Sequence, residues 1–223
     1  NTMAVIFYKG LIEPTYVASH GVGIGIMLEA IMLAFIISYR IKILEDIRSS
    51  QDELKKQAST DPLTKLYNRR YFFSESDYLL QVAKNKQQPL AVLAIDIDHF
   101  KRVNDTHGHQ IGDQVIVKLA QTLKAQSRSK DLLARFGGEE FVMLLPETDQ
   151  EQALVCAERI RTAVEKQIIA ITPEQQLSLA VSIGVAVINA EHESIEAALN
   201  RADKALYEAK NAGRNRVCIN VEG

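Results

Sequence analysis

The chain has 223 residues, of which 47% are hydrophobic and 24% charged, and its formal net charge is −2. This composition is typical of a globular protein and excludes extensive intrinsic disorder. Because there is no basic excess, we expect no nucleic-acid partner, and any nucleotide bound here should be small.

The N-terminal part of the sequence predicts a membrane segment. Residues 21–39 are apolar with a single charge, Glu29, and are close to the roughly 20 residues that cross a bilayer as a helix. Arg40 and Lys42 follow directly, which predicts that this end faces the cytoplasm. The alternative is a buried or signal-anchor-like helix in a soluble protein, which Glu29 and nearby glycines favour. Residues 1–20 are interpreted as a loop or the remnant of a preceding segment, in a piece of a longer chain.

The next segment, residues 40–60, predicts a polar helix that serves as a signalling linker. Ile43, Ile47 and Leu54 recur at spacings of four and seven residues, a narrow stripe typical of a two-helix seam. A solvated linker helix without a partner is the alternative. The Thr-Asp-Pro sequence at 60–62 ends this segment, and its Thr or Asp is expected to cap the following helix.

Residues 61–223 predict one catalytic domain of alternating helices and strands. The expected fold is α+β and ferredoxin-like, with helices on one face of a mainly antiparallel sheet. The predicted helices are 63–83, 111–125, 151–169 and 195–212, and the predicted strands are 90–95, 132–136, 141–145, 177–188 and 216–221. Cys156 and Cys218 are far apart in apolar surroundings, so we expect two reduced core thiols and a cytosolic compartment.

A glycine pair followed by two carboxylates joins two of the predicted strands. Gly137 and Gly138 can form a tight two-residue turn and leave the backbone open to a large group. Glu139 and Glu140 begin the next strand and should point to opposite faces. Taken alone, this pattern also fits an ordinary hairpin with a solvated acidic strand end.

A third carboxylate strengthens the functional interpretation. Asp96 follows the apolar strand 90–95, at a strand end of the kind that often presents ligand-binding groups. Together with a hairpin carboxylate it would form half of a Mg²⁺ cage, which nucleotide phosphates complete. The spacing does not show whether the two strands are neighbours. Lys101 and Lys210 would supply cations to such a site, or are solvated helix residues.

From residue 61 to about 221 the sequence resembles the GGDEF family of diguanylate cyclases, which condense two GTP into cyclic di-GMP. The resemblance implies a palm-like catalytic domain of the nucleotidyl cyclase type. It rests on six blocks in the family's order: DPLT (61–64) with NRR (68–70), DIDHFKRVND (96–105), HGHQIGDQV (107–115), RFGGEEF (135–141), VSIGVA (181–186) and DKALYEAKNAGRN (203–215).

The resemblance implies a role for each matching position. Asp96, the Ile97 carbonyl, Glu139 and Glu140 would bind Mg²⁺, or Mn²⁺ in its place, and the three carboxylates would be catalytic. Asn104 and Asp113 would recognise guanine, because a carboxylate can accept from both N1–H and the exocyclic amine. The phosphates and ribose would contact the remaining family positions, which are Phe100, Lys101, His109, Gly137, Gly138, Lys210 and Arg214.

Two further expectations follow from the resemblance. One domain binds one GTP, so the enzyme should act as a homodimer, with Glu139 assisting deprotonation of the attacking 3′-hydroxyl. Arg128 and Asp131 match the RxxD inhibitory product site, and Arg159 matches the arginine that a partner domain contributes, so we expect feedback inhibition by cyclic di-GMP. The alternative is a charged loop before a strand.

The apolar segment has a resemblance of its own, to the last span of bacterial receptors with seven transmembrane helices. It implies a protein of the bacterial inner membrane whose catalytic domain is cytoplasmic. Two rival functions stay open at this point. One is a catalytically silent GGDEF receptor for cyclic di-GMP or GTP, and the other is a nucleotidyl or adenylyl cyclase on the same fold.

Overall fold

The structure, a computed structural model, describes residues 14–171 and 175–220, with the side chains of 14–24 and 48–58 left out of the description. The chain divides into two compact units, residues 1–56 and 57–223. The second unit begins close to residue 61, the predicted start of the catalytic domain.

The first unit is helical. The helix α1 covers Pro14–Ser59, so the predicted membrane segment and linker form one helix, and residues 14–20 are helical where a loop was predicted. Residues 1–13 lie outside the described residues. Large apolar side chains of α1 are exposed between Ile26 and Ile47. Among the described residues, no helix is both long and apolar enough to cross a membrane.

The second unit is organised around a six-stranded sheet in the order β1-β3-β4-β2-β7-β8. The four central strands are antiparallel, whereas β1 and β8 pair in parallel with β3 and β7 at the two edges. A separate antiparallel pair is formed by β5 and β6. The strands are β1 Tyr67–Asn68, β2 Leu90–Ile97, β3 Leu132–Gly137, β4 Glu140–Pro146, β5 Ile168–Ala170, β6 Gln176–Ser178, β7 Val181–Ile188 and β8 Val217–Asn220.

Helices cover both faces of this sheet, so the prediction of helices on one face is wrong. Leu93 and Ile95 of β2 point to the core that also contains residues of α4 and α5, while Val92 and Ala94 point to the core of α2 and α6. The physical reason lies in β2 itself, since a continuous apolar strand has two faces to bury. The helices are α2 Arg69–Lys86, α3 Phe100–His107, α4 His109–Gln126, α5 Gln150–Glu165 and α6 Ile195–Asn211.

The predicted helix 63–83 begins later than expected. Asn68 is its N-cap, because its side chain accepts a hydrogen bond from the Tyr71 backbone N–H at 3.0 Å. The residues before it form a turn in which Asp61 accepts from the Thr64 backbone N–H at 2.8 Å. The expectation that Thr60 or Asp61 caps the helix is therefore wrong, since Asp61 caps a turn instead.

Two further elements have other bounds than predicted, and one helix was not predicted. The helix predicted over 151–169 ends at Glu165, because Ile168–Ala170 pairs with Gln176–Ser178, and the strand predicted over 177–188 is accordingly split. The helix α3 was not predicted, although its Phe100 and Val103 are buried. Both cysteines are free, and Cys156 is buried in the core as expected, whereas Cys218 is only half-buried.

Candidate active site

The sheet brings two predicted metal ligands directly opposite each other. Asp96, near the end of β2, is the register partner of Glu140, the first residue of β4. On its other side Asp96 is paired with Ser182 of β7. This adjacency, which the sequence spacing left undecided, places the carboxylate-bearing end of the central strand beside the glycine turn.

The turn itself is shifted by one residue from the prediction. Gly137 pairs with Glu140, so the two turn residues are Gly138 and Glu139, and an irregularity falls between Arg135 and Gly137. Gly138 has φ 48°, a conformation that favours glycine. A Cβ at Gly137 or Gly138 would meet nothing within 4 Å. The space in front of the turn is therefore open to a ligand, as expected.

Arg135 fixes this turn from inside the domain. Its Nε and Nη2 donate to the Gly138 carbonyl oxygen at 3.0 and 2.8 Å. Its Nη1 contacts both carboxylate oxygens of Asp61. Burial opposes ionisation of Asp61, but hydrogen bonds from Thr64 and Arg135 outweigh it and keep the pKa of this carboxyl below its usual value. Sequence reasoning gave Asp61 only a helix-capping role and Arg135 none, although both lie in blocks that resemble the family.

Asp96 is buried and its carboxylate already contacts a cation. Lys210 Nζ lies 2.9 Å from Asp96 Oδ1, and only 8% of the Asp96 side chain is exposed. The pKa of Asp96 is raised to about 6, chiefly by burial. Within this net shift Lys210 lowers the pKa, whereas the carboxylates of Glu139 and Glu140 raise it. The ammonium group of Lys210 thus partly compensates a concentration of negative charge at the end of β2.

The carboxylates suit a hard divalent cation that takes its other ligands from outside the protein, such as phosphate oxygens. Asp96 and Glu140 face each other, and Ile97, whose carbonyl is a predicted ligand, is the last residue of β2. Among the described residues, no cluster of three or more His, Cys, Asp or Glu side chains is placed to hold a metal ion by itself. Mg²⁺ commonly binds through one or two carboxylates plus phosphate oxygens, so the donor set matches a half-site.

The predicted guanine residues lie on two neighbouring helices. Asn104 belongs to α3, and Asp113 follows Gly112 in α4. The Asn104 Oδ1 atom is buried and has no hydrogen-bond partner among the described residues. A Cβ at Gly112 would lie 1.9 Å from that atom, so the bare Cα of Gly112 makes room for the amide. An unsatisfied buried acceptor beside a glycine is consistent with a site for a polar ligand.

The predicted phosphate residues lie at helix ends or just beyond one. Phe100 and Lys101 open α3, and His109 is the first residue of α4. Lys210 lies in the last turn of α6, and Arg214 follows that helix with φ 63°. Of these side chains, the described structure brings Lys210 into direct contact with a predicted metal ligand.

A cavity of about 390 Å³ adjoins the carboxylates on the side of α2 and α6. Besides Asp96, Glu140 and Lys210 it is lined by Arg69 and Asp203, which sequence reasoning did not single out. Arg69 lies over the ring of Phe136, 5.3 Å from its centroid. Burial raises the pKa of Asp203, and the nearby Glu140 raises it further. Both residues belong to blocks that resemble the family, which is the signal that could have found them.

The three predicted inhibitory-site residues also lie close together. Asp131 accepts from the Arg128 backbone N–H at 2.7 Å, and its Oδ1 is buried without a hydrogen-bond partner in the described part of the chain. Arg159 of α5 donates to the Gln126 carbonyl at 2.9 Å, which holds it at the end of α4. Burial raises the pKa of Asp131, although Arg128, Lys130 and Arg159 each lower it.

This mixed α+β fold matches the palm of nucleotidyl cyclases. The sequence profile of the family described as "Diguanylate cyclase, GGDEF domain" matches residues 58–216. The chain therefore belongs to the GGDEF family of diguanylate cyclases.

Of two curated relatives, one is named a diguanylate cyclase and the other a response regulator. The chain is 40% identical over 190 residues to "Diguanylate cyclase A" of Treponema denticola, covering 81% of this chain and 51% of that protein. It is 41% identical over 179 residues to "Response regulator PleD" of Caulobacter vibrioides, covering 80% of this chain and 39% of that protein. The chain thus spans about half or less of the length of these relatives.

Solved structures agree with the family. The coiled coil and GGDEF domain of DgcB from Caulobacter crescentus, in complex with c-di-GMP, superimposes with a TM-score of 0.77 at 32% identity and covers 84% of this chain and 99% of that chain. The active GGEEF domain of a diguanylate cyclase from Vibrio cholerae gives 0.65 at 35% identity, covering 70% of this chain and 98% of that chain.

Proposed function

We propose that this chain condenses two GTP molecules into cyclic di-GMP and two pyrophosphates. The observation that carries the proposal is the register of the sheet, which sets Asp96 opposite Glu140 beside an open glycine turn. Family membership and the names of the relatives support the same activity. The GGEEF sequence at 137–141 retains both carboxylates, which favours catalysis over a silent receptor.

The predicted metal ligands are Asp96, Glu139, Glu140 and the Ile97 carbonyl. Mg²⁺, or Mn²⁺ in its place, would supply charge stabilisation for the phosphoryl oxygens when bound there. The paired carboxylates are an oxygen-rich, anionic set, which is the chemistry that these ions prefer. Lys210, which neutralises part of this charge, is then available to the phosphates of the nucleotide.

Guanine recognition is assigned to Asn104 and Asp113. The Oδ1 of Asn104, which lacks a hydrogen-bond partner in the described part of the chain, can accept from a base amine. The carboxylate of Asp113 can accept from N1–H and the exocyclic amine together. Adenine presents neither donor in that arrangement, so the pair favours GTP over ATP. Phe100, Lys101, His109, Lys210 and Arg214 remain the predicted contacts to phosphate and ribose, with Gly137 and Gly138 leaving space for the α- and β-phosphates.

The reaction would be an in-line displacement carried out twice. A ribose 3′-hydroxyl of one GTP attacks the α-phosphorus of the other, a new P–O bond forms, and the bond to the pyrophosphate oxygen breaks. Glu139 is assigned to assist removal of the hydroxyl proton. Since one domain would hold one GTP, two copies must face each other, and we propose a homodimer.

The linker helix is the element proposed to set this pairing. Ile43 and Ile47 of α1 are exposed to 39% and 50%, which leaves the predicted seam available to a second helix. The DgcB structure that resembles this chain contains a coiled coil next to its GGDEF domain. If the linker helix sets the pairing, analytical ultracentrifugation of the full chain should show a dimer.

Product inhibition is proposed for the RxxD site. The buried Oδ1 of Asp131, which has no hydrogen-bond partner among the described residues, can accept from a guanine edge, and Arg128 and Arg159 can bind phosphates. The relative DgcB has been solved in complex with c-di-GMP, which supports a dinucleotide ligand for domains of this kind.

Membrane attachment through residues 21–39, with the catalytic domain in the cytoplasm of a bacterial cell, stays a prediction. Its support is the apolar sequence and the Arg40 and Lys42 that follow it. The further resemblance to the last span of a seven-helix receptor stays a prediction as well. Fractionation of cells that express the full chain, with an alkaline carbonate wash, would separate an integral membrane protein from a peripheral one.

The direct test of activity is product identification. The purified chain is incubated with GTP and Mg²⁺, and the products are identified by mass spectrometry, with ATP in parallel. We expect cyclic di-GMP and pyrophosphate from GTP and no cyclic dinucleotide from ATP. Asp113→Ala should raise the KM for GTP and relax the preference for GTP over ATP. Binding of GTP or cyclic di-GMP without turnover would instead identify a silent receptor.

A further inference from the structure

We propose that Asn215 is a positioning residue for Arg214, and that Asp98 and the Arg161–Glu165 ion pair hold Asn215 in place for this purpose. The inference rests on the proposed function, because it takes Arg214 as a phosphate-binding residue. It adds to that function a group of side chains to which neither metal binding nor base recognition has been assigned.

The segment after α6 has an unusual backbone. Gly213, Arg214 and Asn215 have φ values of 115°, 63° and 45° in succession. A left-handed conformation is easy for glycine and tolerated by asparagine, but it is costly for arginine. A segment of this kind keeps its shape when contacts on both sides define it. The Arg214 side chain is exposed and its backbone N–H donates to the Ala209 carbonyl at 3.0 Å, and the further contacts that define the segment come from its neighbours.

Asp98 supplies the first contact. Its Oδ2 accepts from the Asn215 backbone N–H at 2.9 Å, and its Oδ1 accepts from Ser182 Oγ at 2.7 Å. Asp98 and Ser182 are both buried, which strengthens these bonds and makes their loss costly. Although Asp98 follows Asp96 by two residues, its carboxylate is therefore committed to the loop after α6 rather than to the cation site.

Helix α5 supplies the second contact. Arg161 Nη1 donates to Asn215 Oδ1 at 2.9 Å, and Asn215 Nδ2 donates to Glu165 Oε1 at 2.7 Å. The same Arg161 nitrogen also contacts Glu165 Oε2 at 3.0 Å, so the ion pair and the amide form one network. Hydrogen bonds from Asn215 and Arg161 lower the pKa of Glu165, which keeps it charged. Both polar ends of the Asn215 amide are thus satisfied by α5.

Together these contacts connect two sides of the candidate site. Asn215 joins the turn after β2, which follows Asp96 and Ile97, to the segment that carries Arg214, and α5 anchors the junction. Arg216 adds a bond from its Nε to the Arg214 carbonyl at 3.1 Å, which restrains the same peptide. We infer that the network sets the distance between the metal-binding end of β2 and the Arg214 guanidinium, and thereby favours a triphosphate that reaches both.

The test is a double-mutant cycle on nucleotide affinity. Wild type, Asn215→Gly, Arg214→Ala and the double variant are compared by calorimetry with a non-hydrolysable GTP analogue and Mg²⁺. Glycine retains the left-handed conformation at 215, so that variant removes only the side chain. Asn215→Gly and Arg214→Ala should each weaken binding about ten-fold, the loss expected for a charged hydrogen bond. The double variant should bind no more weakly than Arg214→Ala alone, because both changes remove one interaction.

Controls separate positioning from a general loss of stability. Glu193→Gln breaks the ion pair with Arg201, in which Arg201 Nη2 and Glu193 Oε2 are 2.6 Å apart, near the other end of α6. It should lower the melting temperature and leave affinity for the analogue unchanged. Asn215→Asp keeps an acceptor for Arg161 but places a carboxylate oxygen against Glu165. The affinity of this variant for the GTP analogue should therefore be lower than that of wild type.

The outcomes are distinct. A double variant about 100-fold weaker than wild type would mean that the two residues act independently and would overturn the proposal. Unchanged affinity in Asn215→Gly, or in Arg214→Ala, would overturn it as well. A wild-type chain that binds the analogue and shows the expected cycle but makes no cyclic dinucleotide would refute the proposed activity and leave the positioning role standing.

Discussion

Asp61 and Arg135 form an ion pair across 74 residues of sequence, with Arg135 Nη1 lying 3.0 and 3.1 Å from the two carboxylate oxygens of Asp61. The same guanidinium donates twice to the carbonyl of Gly138. Both side chains are largely buried, so the pair is more than a solvated surface contact. The residue that opens the catalytic domain is thereby connected to the turn that presents Glu139.

Asp61→Asn should therefore reduce turnover without unfolding the domain. Asparagine retains an acceptor for the Thr64 N–H but loses the charge that orients Arg135, so the turn should become less well ordered. We expect kcat for GTP to fall about ten-fold, in line with about 1.5 kcal/mol for a charge-assisted hydrogen bond. Glu147→Gln, which breaks the exposed pair with Lys130, is the matched control and should leave kcat unchanged. Equal kcat values for Asp61→Asn and wild type would contradict a role for the pair.

Gly112→Ala should weaken guanine binding. The new Cβ would lie 1.9 Å from the Asn104 Oδ1 atom, so the amide must move away from its present position. We expect the KM for GTP to rise about ten-fold or more, with a smaller effect on kcat. Gln110→Ala, on the exposed side of the same helix, is the control. If Gly112→Ala retained the wild-type KM and base preference, guanine would have to bind elsewhere.

Much of this site could be predicted from the sequence, because residue type and order define the carboxylates, the glycine turn and the apolar strand. Their adjacency could not, since the pairing of Asp96 with Glu140 depends on strand order rather than spacing. The helices on the second face of the sheet were not predicted, because an apolar strand alone does not show which elements cover its two faces. Asp61, Arg135 and Asn215 act through long-range hydrogen bonds, which no local pattern displays.

Arg128→Ala and Asp131→Ala test the feedback site separately from catalysis. Both positions lie apart from the residues predicted to bind GTP, so initial rates should stay near wild type. Inhibition by added cyclic di-GMP should weaken roughly ten- to hundred-fold, as expected for the loss of one charged contact. The measurement is a rate series against added product at fixed salt, because phosphate contacts are screened. Wild-type inhibition in both variants would leave residues 128–131 as an ordinary loop.

The pKa of Asp96 gives a pH dependence of stability. Its folded value of about 6 lies above the 3.8 of an unperturbed carboxyl, so the folded state holds the proton more tightly. Ionisation of Asp96 therefore costs stability as pH rises from about 4 to 6. Melting temperatures of wild type and Asp96→Asn are compared with a chelator present and no nucleotide. Because the wild type alone loses this stability, the value for Asp96→Asn minus that for wild type should increase over this pH range and then level off. A difference independent of pH would show that Asp96 is not perturbed.

The central claim is that the carboxylates at the end of β2 and the start of β4 catalyse cyclic di-GMP synthesis. Glu140→Gln retains the volume of this side chain and removes its charge, so it isolates the electrostatic contribution. Turnover of GTP by the wild type and by this variant, measured as cyclic di-GMP formed at saturating GTP and Mg²⁺, is the most direct test. We predict a loss of at least about 10²-fold with an unchanged circular dichroism spectrum. Near-normal turnover by Glu140→Gln would contradict the assignment of these carboxylates.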